Sequence, residues 1–111
     1  MNKENNSSRE EFAKSQFKSG QLFEKQGKYA EAVKAYKKIK REDDKQVFAK
    51  SRFNLGILLK EQKKYPEAEH AYKEIQREDD KQVFAQSRFN LGRLLKEQKK
   101  YPEAEHAYKE I

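Results

Sequence analysis

Several residue types that carry recognisable chemistry are missing or scarce in this chain of 111 residues. It has no cysteine, which excludes disulfide bonds and thiolate metal sites and favours a reducing compartment, so we expect a cytoplasmic location. Its four glycines form no phosphate-binding loop. No apolar run reaches the length of about 18 residues that spans a bilayer, and residues 1–9 lack the apolar segment of a signal peptide. We therefore expect no membrane association.

Side chains suited to catalysis are equally sparse. The chain has two histidines, His70 and His106, and each follows a glutamate by three residues. A Glu-x-x-His pair can hold a di-metal centre inside a helical bundle, but here it lies opposite Ala68 and Ile75 on the predicted helix, which favours a solvated face. No nucleophile can be matched with a base and an orienting group. We expect no enzyme activity, no metal and no other cofactor.

Charged residues are abundant and of both signs. They make up 41% of the chain against 34% apolar residues, with 26 basic and 19 acidic side chains and a formal charge of +7. Such a composition is typical of disorder unless the apolar residues recur with a structural period. Because acidic and basic residues interleave, the surface is mixed rather than a basic block, and acidic partners are favoured.

A repeat with a period of 36 residues organises the chain. The second copy begins at Phe48 and reads FAKSRFNLGILLKEQKKYPEAEHAYKEI; the third begins at Phe84 and matches it at 26 of 28 positions. A more divergent copy begins at Phe12 and matches the second at 23 of 36 positions. Duplication explains this pattern, and it predicts three structural units. These units span about residues 12–47, 48–83 and 84–111.

Each copy carries two helical patterns. In the second copy the apolar residues from Phe48 to Leu59 fall on one side of a helix at about 100° per residue. Lys63 and Lys64 end that helix, and Pro66 then occupies a first helical position, where no amide hydrogen is needed. A narrow apolar stripe predicts the second helix through Ala68, Ala71, Tyr72 and Ile75. Six helices in three antiparallel hairpins result.

Helix starts and close approaches can also be predicted. Ser8, Asp43 and Asp79 each precede a Glu or Gln by three residues, which predicts an N-cap before the first helix of each hairpin. Residues 1–7 lack a packing partner, so we expect a disordered lead followed by one domain over residues 8–111. Small residues are predicted where the two helices of a hairpin approach closely: Gly20, Gly56 and Gly92, with Ala32, Ala68 and Ala104.

The combined pattern resembles the tetratricopeptide repeat over nearly the whole chain after Glu11. The matching residues are Leu55-Gly56, Leu59, Tyr65, Ala68 and Tyr72, and then Leu91-Gly92, Leu95, Tyr101, Ala104 and Tyr108. The resemblance implies an all-α fold, a right-handed α-solenoid of three helix-turn-helix hairpins. One departure is the replacement of a bulky family residue by Gln16, Arg52 and Arg88. We expect Phe48 and Phe84 to fill that volume while each arginine head reaches water or a linker aspartate.

The resemblance also implies a protein-interaction module, because in that family the first helices line a concave groove that holds a peptide or a partner's helix. The groove positions implied on this chain are Lys14, Phe17, Gln21, Glu24 and Lys25, then Lys50, Phe53, Ile57, Lys60 and Glu61, then Gln86, Phe89, Arg93, Lys96 and Glu97, with Asn54 and Asn90 beside them. Phenylalanines surrounded by lysines suit an acidic, partly apolar ligand, and amides can bond a peptide backbone.

Two alternatives for these groove residues stay open. The phenylalanines could instead form core between adjacent hairpins. Copies two and three differ only at Lys50/Gln86 and Ile57/Arg93, which favours diversification for binding over drift on exposed helix. One subgroup of the family holds a partner's terminal carboxylate with Lys, Asn and Arg residues. Most of those positions differ here, at Phe17, Gln21, Gln86 and Asn90, so that clamp is not supported.

Two other functions compete with peptide binding. The sequence ends at Ile111 with no polar closing helix, so an open apolar end is expected, and either the native chain is longer or two molecules stack as a homo-oligomer. Nucleic-acid binding through the positive balance ranks last, because acidic residues interleave along both helices and no aromatic and basic motif of a nucleic-acid module is visible.

Overall fold

Six α-helices and no strand form the part of the chain that the computed structural model describes, which is residues 3–111, with side chains from residue 7 onward. The helices are α1 (Lys3–Lys25), α2 (Tyr29–Lys37), α3 (Lys45–Glu61), α4 (Tyr65–Glu74), α5 (Lys81–Glu97) and α6 (Tyr101–Lys109). The predicted all-α fold with six helices is confirmed.

The helices pack as three hairpins in a row. α1 packs on α2, α3 on α4 and α5 on α6, while α2 contacts α3 and α4 contacts α5 between hairpins. The first helices also contact one another, α1 with α3 and α3 with α5. The array measures 47 × 33 × 17 Å, so it is a flat layer in which each hairpin covers the apolar face of its neighbour.

A residue in the left-handed conformation joins the two helices of each hairpin. These residues are Gly27, Lys63 and Lys99, with φ angles of 73°, 62° and 63°. After α3 the amide of Lys64 donates to the carbonyl of Leu59 at 2.9 Å, which closes the helix as a Schellman turn. Glycine adopts this conformation without strain, whereas a lysine side chain opposes it.

The predicted N-caps of α3 and α5 are wrong by one residue. Asp44 and Asp80 cap these helices, and their carboxylates accept from the amides of Val47 and Val83 at 3.0 Å. A cap needs extended backbone next to the first helical turn, and Asp80 has it with φ of −170°. Asp79 lies in the turn before it and accepts from the Gln76 amide at 2.9 Å instead.

The first helix begins earlier than the capping pattern at Ser8 predicts, because α1 starts at Lys3. Residues 3–7 of the predicted lead therefore belong to α1, and residues 1–2 lie outside the described residues. A helical backbone bonds to itself, so it can extend for some turns beyond its last packed residue.

Close packing inside each hairpin rests on glycine against tyrosine. A Cβ atom added at Gly56 would lie 2.7 Å from Cδ1 of Tyr72, and Gly20 and Gly92 meet Tyr36 and Tyr108 in the same way. Contact between carbon atoms is ordinarily about 3.5–4.0 Å, so no side chain fits there without movement. The structure thus places these glycines at the predicted close approach, beside Ala32, Ala68 and Ala104, which are all buried.

The prediction that the arginine heads reach water or a linker aspartate is wrong. Arg52 is 8% exposed; its Nη1 donates to the Tyr36 carbonyl at 2.9 Å and its Nε to the Glu74 carboxylate at 3.0 Å. Its guanidinium also lies 4.6 Å from the Phe48 ring centroid. The last carbonyls of a helix lack the amide four residues on that an interior carbonyl has; the Tyr36 carbonyl accepts from the Ile39 amide at 3.2 Å, and the arginine adds a second donor from the next hairpin. Arg88 repeats the arrangement.

A second ion pair links successive connectors. Arg41 donates from Nε and Nη2 to the carboxylate of Asp79 at 2.7 and 3.0 Å, and from Nη2 to the Glu74 carbonyl at 2.8 Å. The Asp79 side chain is 1% exposed and that of Arg41 is 33% exposed. Hydrogen bonding to Asp79 raises the pKa of Arg41. This pair fixes the spacing of adjacent hairpins, which in turn fixes the spacing of the first helices.

Candidate functional site

The three first helices build one cleft. Its volume is about 560 Å³, and six residues predicted for the groove line it: Phe17, Gln21, Lys50, Phe53, Asn54 and Gln86. The start of α5 closes one side through Asp80, Gln82 and Val83. The cleft therefore combines an aromatic wall, four side-chain amides and one exposed cation, and it draws on all three repeats.

A smaller cavity lies further along the same helices. Its volume is about 200 Å³, and it is lined by Ile57, Lys60, Glu61, Tyr72, Asn90 and Arg93. Five of the residues predicted for the groove meet here, together with one tyrosine from a second helix. The remaining predicted residues line neither site: Lys14 lines a shallow depression on α1, Glu24 accepts from the Tyr36 hydroxyl, and Lys25, Phe89, Lys96 and Glu97 are exposed.

The phenylalanines are part cleft wall and part core. Phe17 and Phe53 are partly buried, pack against core clusters, and lie with ring centroids 5.7 and 6.1 Å from Tyr36 and Tyr72. Phe89 holds the equivalent position 6.0 Å from the Tyr108 ring but is 49% exposed. In the row of first helices α1 is followed by α3, and α3 by α5, whereas within residues 3–111 no first helix follows α5, which carries Phe89. Neighbouring helices thus decide how much of each ring is buried.

A hydrogen-bonded group occupies the wall between α1 and α3. The Tyr36 hydroxyl donates to the Glu24 carboxylate and accepts from Nδ2 of Asn54 at 3.4 Å. Burial, reinforced by Glu24, raises the pKa of Tyr36 well above its ordinary value. The Asn54 side chain therefore lines the cleft and also donates one of its two amide hydrogens to the Tyr36 hydroxyl.

Tyr72 has the equivalent position in the next repeat, at the edge of the small cavity. Burial raises the pKa of Tyr72, against an opposing interaction with the Asn90 side chain. The sequence does not distinguish these tyrosines from ordinary core residues, because each falls on the apolar stripe of its helix. Their spacing from the glycine they touch, 16 residues in each repeat, is the pattern that identifies them.

Positive charge around the two sites is only partly neutralised. Lys50 is exposed on the rim of the larger cleft. Beside the small cavity, Nζ of Lys60 lies 3.3 Å from the Glu97 carboxylate, and the Arg93 guanidinium lies 5.8 Å from the Phe89 ring centroid. Asp80, the acidic group at the larger cleft, is engaged as the cap of α5. The surface along the first helices is thus suited to acidic groups.

Among the described residues there is neither a cluster that could bind a metal ion nor a helix that could span a membrane. Within residues 7–111, no three histidine or acidic side chains cluster in a way that could hold a metal ion. None of the helices in the described part of the chain combines the length and the apolar character that crossing a membrane requires.

Comparison with known families agrees with this geometry. A family model described as tetratricopeptide repeat matches residues 52–111, and a second model with the same description matches residues 14–45. The first segment includes residues of both sites, and the second includes Phe17 and Gln21 of the larger cleft. No curated protein matches the chain.

Proposed function

The chain belongs to the tetratricopeptide repeat family, and we propose that it binds an extended peptide segment in the cleft of about 560 Å³. Tetratricopeptide repeats generally mediate protein–protein interactions, and the family is typically non-enzymatic. The observation that carries the proposal is the convergence of residues from α1, α3 and α5 on one cleft.

The size and lining of the cleft suit a peptide. Binding pockets for small groups have volumes of about 300–1,000 Å³ and combine apolar walls with a few polar groups. Here Phe17 and Phe53 offer an apolar wall for one ligand side chain. The amides of Gln21 and Gln86 offer both donors and acceptors to a peptide backbone. Lys50 adds a cation at the rim, which favours an acidic residue beside the apolar one.

The pattern of divergence between repeats supports the same reading. The second and third copies differ at Lys50/Gln86 and at Ile57/Arg93. Lys50 and Gln86 both line the larger cleft, while Ile57 and Arg93 both line the small cavity. Residues that support the fold, including both buried arginines, are the same in the two copies. Variation confined to the two sites is the pattern expected where the surface is adapted to a ligand.

A displayed library of random peptides tests the proposal. Peptides selected on the intact chain are titrated against the Lys50→Glu variant and against Lys34→Glu, which makes the same charge change at an exposed position on α2. We expect Lys50→Glu to weaken binding by about tenfold, as loss of a charge-assisted contact does, and Lys34→Glu to leave it unchanged. Equal effects of the two variants, with helical content intact in both, would contradict binding in this cleft.

Self-association is a second candidate function, favoured by an exposed isoleucine that follows α6. Ile39 and Ile75 are completely buried by the next hairpin, but their equivalent Ile111 is 56% exposed. We expect sedimentation of the wild-type chain to show concentration-dependent association and Ile111→Lys to abolish it. A wild-type chain that sediments as a monomer at every concentration would eliminate this candidate and leave the peptide-binding proposal untouched.

A further inference from the structure

The first repeat contains a carboxylate where the second repeat has an open cavity. In the first repeat Glu24 accepts from the Tyr36 hydroxyl, and Asn54 donates to the same hydroxyl. The group therefore consists of a tyrosine from a second helix, a carboxylate from the helix before it and an amide from the helix after it. It shows how this scaffold binds a carboxylate between two neighbouring first helices.

The second repeat keeps the tyrosine and the amide but not the carboxylate. Tyr72 and Asn90 occupy the positions equivalent to Tyr36 and Asn54, and both line the cavity of about 200 Å³. The residue equivalent to Glu24 is Lys60, because the pair Glu24-Lys25 is reversed as Lys60-Glu61. Within residues 7–111 no hydrogen bond joins the Tyr72 hydroxyl to a carboxylate.

The charges around the cavity changed in the direction that favours an anion. Arg93 of the third repeat is equivalent to Ile57 of the second, and Lys60 of the second repeat is equivalent to Glu24 of the first. Nζ of Lys60 already lies 3.3 Å from Glu97, so Arg93 supplies the main uncompensated cation. Glu61 also lines the cavity and opposes an anion, but its side chain is exposed and screened by water. The lining itself holds two basic residues and one acidic residue, and Glu97 outside the lining pairs with Lys60, so Arg93 is the cation left to meet an anion.

We infer that this cavity binds an acidic side chain of the ligand, whose carboxylate takes the place that Glu24 occupies in the preceding repeat. The Tyr72 hydroxyl donates to that carboxylate as Tyr36 donates to Glu24, and Asn90 and Arg93 donate from the adjacent helix. This assignment rests on the proposed peptide-binding function and specifies an aspartate or glutamate next to the segment held in the larger cleft. The set of residues differs from the terminal-carboxylate clamp that the sequence does not support.

Small probes test the cavity directly in the intact chain. N-acetyl-glutamate N′-methylamide carries the side-chain carboxylate, its glutamine analogue is the neutral control, and N-acetyl-alanine carries only a terminal carboxylate. We expect the glutamate probe to shift the NMR signals of the Asn90 amide and the Arg93 Nε–H with a dissociation constant on the order of 1 mM, typical of a probe this small. The glutamine probe should leave them in place. Tighter binding of N-acetyl-alanine would overturn the side-chain assignment.

Matched variants separate the cavity from general charge. Lys60→Glu restores the carboxylate of the first repeat, so it should occupy the cavity from within and weaken the glutamate probe by at least about tenfold. Lys96→Glu makes the same charge change outside the cavity and should alter affinity less than about twofold. Tyr72→Phe, which removes only the hydroxyl, should also weaken the probe. Equal losses in Lys60→Glu and Lys96→Glu would overturn the inference.

The same variants distinguish this inference from the function it rests on. A chain that binds library peptides through Lys50 but ignores the glutamate probe overturns the carboxylate cavity alone. Peptide binding that is insensitive to Lys50→Glu overturns the proposed function, and the probe titration is unaffected by that result.

Discussion

Replacing Gly56 or its equivalent Gly92 by alanine, one at a time, tests how rigidly each hairpin holds the tyrosine that packs against the glycine. At Gly56 an added Cβ would lie 2.7 Å from two atoms of the Tyr72 ring, about 1 Å inside ordinary carbon contact. Tyr72 is 1% exposed and packs against Phe53, so its ring is confined except where it borders the small cavity. At Gly92 the contact is the same, but its partner Tyr108 is only partly buried.

The free-energy terms for overpacking and for helix propensity predict different outcomes at Gly56 and Gly92. Overpacking a filled core costs about 1–3 kcal/mol, whereas replacing glycine by alanine inside a helix stabilises by about 0.5–1 kcal/mol. We therefore expect Gly56→Ala to destabilise the chain by about 1–2 kcal/mol. In Gly92→Ala the Tyr108 ring can shift outward, so the helical gain offsets the contact and the net change should lie within about 0.5 kcal/mol of zero.

Urea unfolding followed by circular dichroism gives both values on one instrument. Thermal melts should agree, with Gly56→Ala melting about 4–8 °C below Gly92→Ala. Gly20→Ala is a third member of the series, because its partner Tyr36 is completely buried, and it should resemble Gly56→Ala. Equal free energies of unfolding for Gly56→Ala and Gly92→Ala would refute the argument that the immobility of the ring decides the outcome.

Three further outcomes follow from other parts of the fold. Lys63→Gly should stabilise the chain by about 0.5–1 kcal/mol in urea unfolding, because it relieves a left-handed lysine, and Gly27→Lys should have the opposite sign. Asp79→Asn should destabilise the chain by about 1–3 kcal/mol, because it leaves Arg41 without its carboxylate partner. Asp43 is the equivalent residue one repeat earlier, and its carboxylate accepts from the Lys40 backbone amide, so Asp43→Asn should cost about 1 kcal/mol or less; equal costs would refute the argument from the ion pair. Burial raises the folded-state pKa of Tyr72 above its unfolded value, so the contribution of neutral Tyr72 to the free energy of unfolding is complete below pH about 10 and is lost as pH rises through the folded pKa. Between pH about 9 and about 11 the free energy of unfolding should therefore fall less for Tyr72→Phe than for wild type, and equal falls would contradict this reasoning.

The hairpins could be predicted from the sequence because every local indicator agrees with the repeat. The 36-residue period, Pro66 at the start of α4 and the apolar stripes all specify the same helices. The caps could not be assigned to the correct residue, because Asp79 and Asp80 are adjacent and both suit the role. Only the backbone decides, since the extended residue directly before the helix is the one that can reach its free amides.

Six of the residues that line the larger cleft were among those predicted for the groove, whereas Asp80, Gln82 and Val83, and the division of the surface into two sites, were not predicted. A helix pattern indicates which side chains share a face and says nothing of how far apart neighbouring helices lie. Tyr72 joins the small cavity because Gly56 lets its helix come close enough for the ring to pass beneath α3. Where the hydroxyl of such a tyrosine lies can be assigned only once the distance between the neighbouring helices is known.

The buried arginines explain how a chain that is 41% charged holds a defined cleft. The helices α2 and α4 are short, at 9 and 10 residues, and the last carbonyls of each lack the amide four residues on that an interior helical carbonyl has. Arg52 donates to one such carbonyl on the preceding hairpin and to Glu74 on its own hairpin. Because a guanidinium presents its donors in a fixed plane, satisfying both partners fixes the direction as well as the distance between hairpins. The apolar stripes alone are too narrow to impose that direction, so these polar contacts set how α1, α3 and α5 align along the cleft.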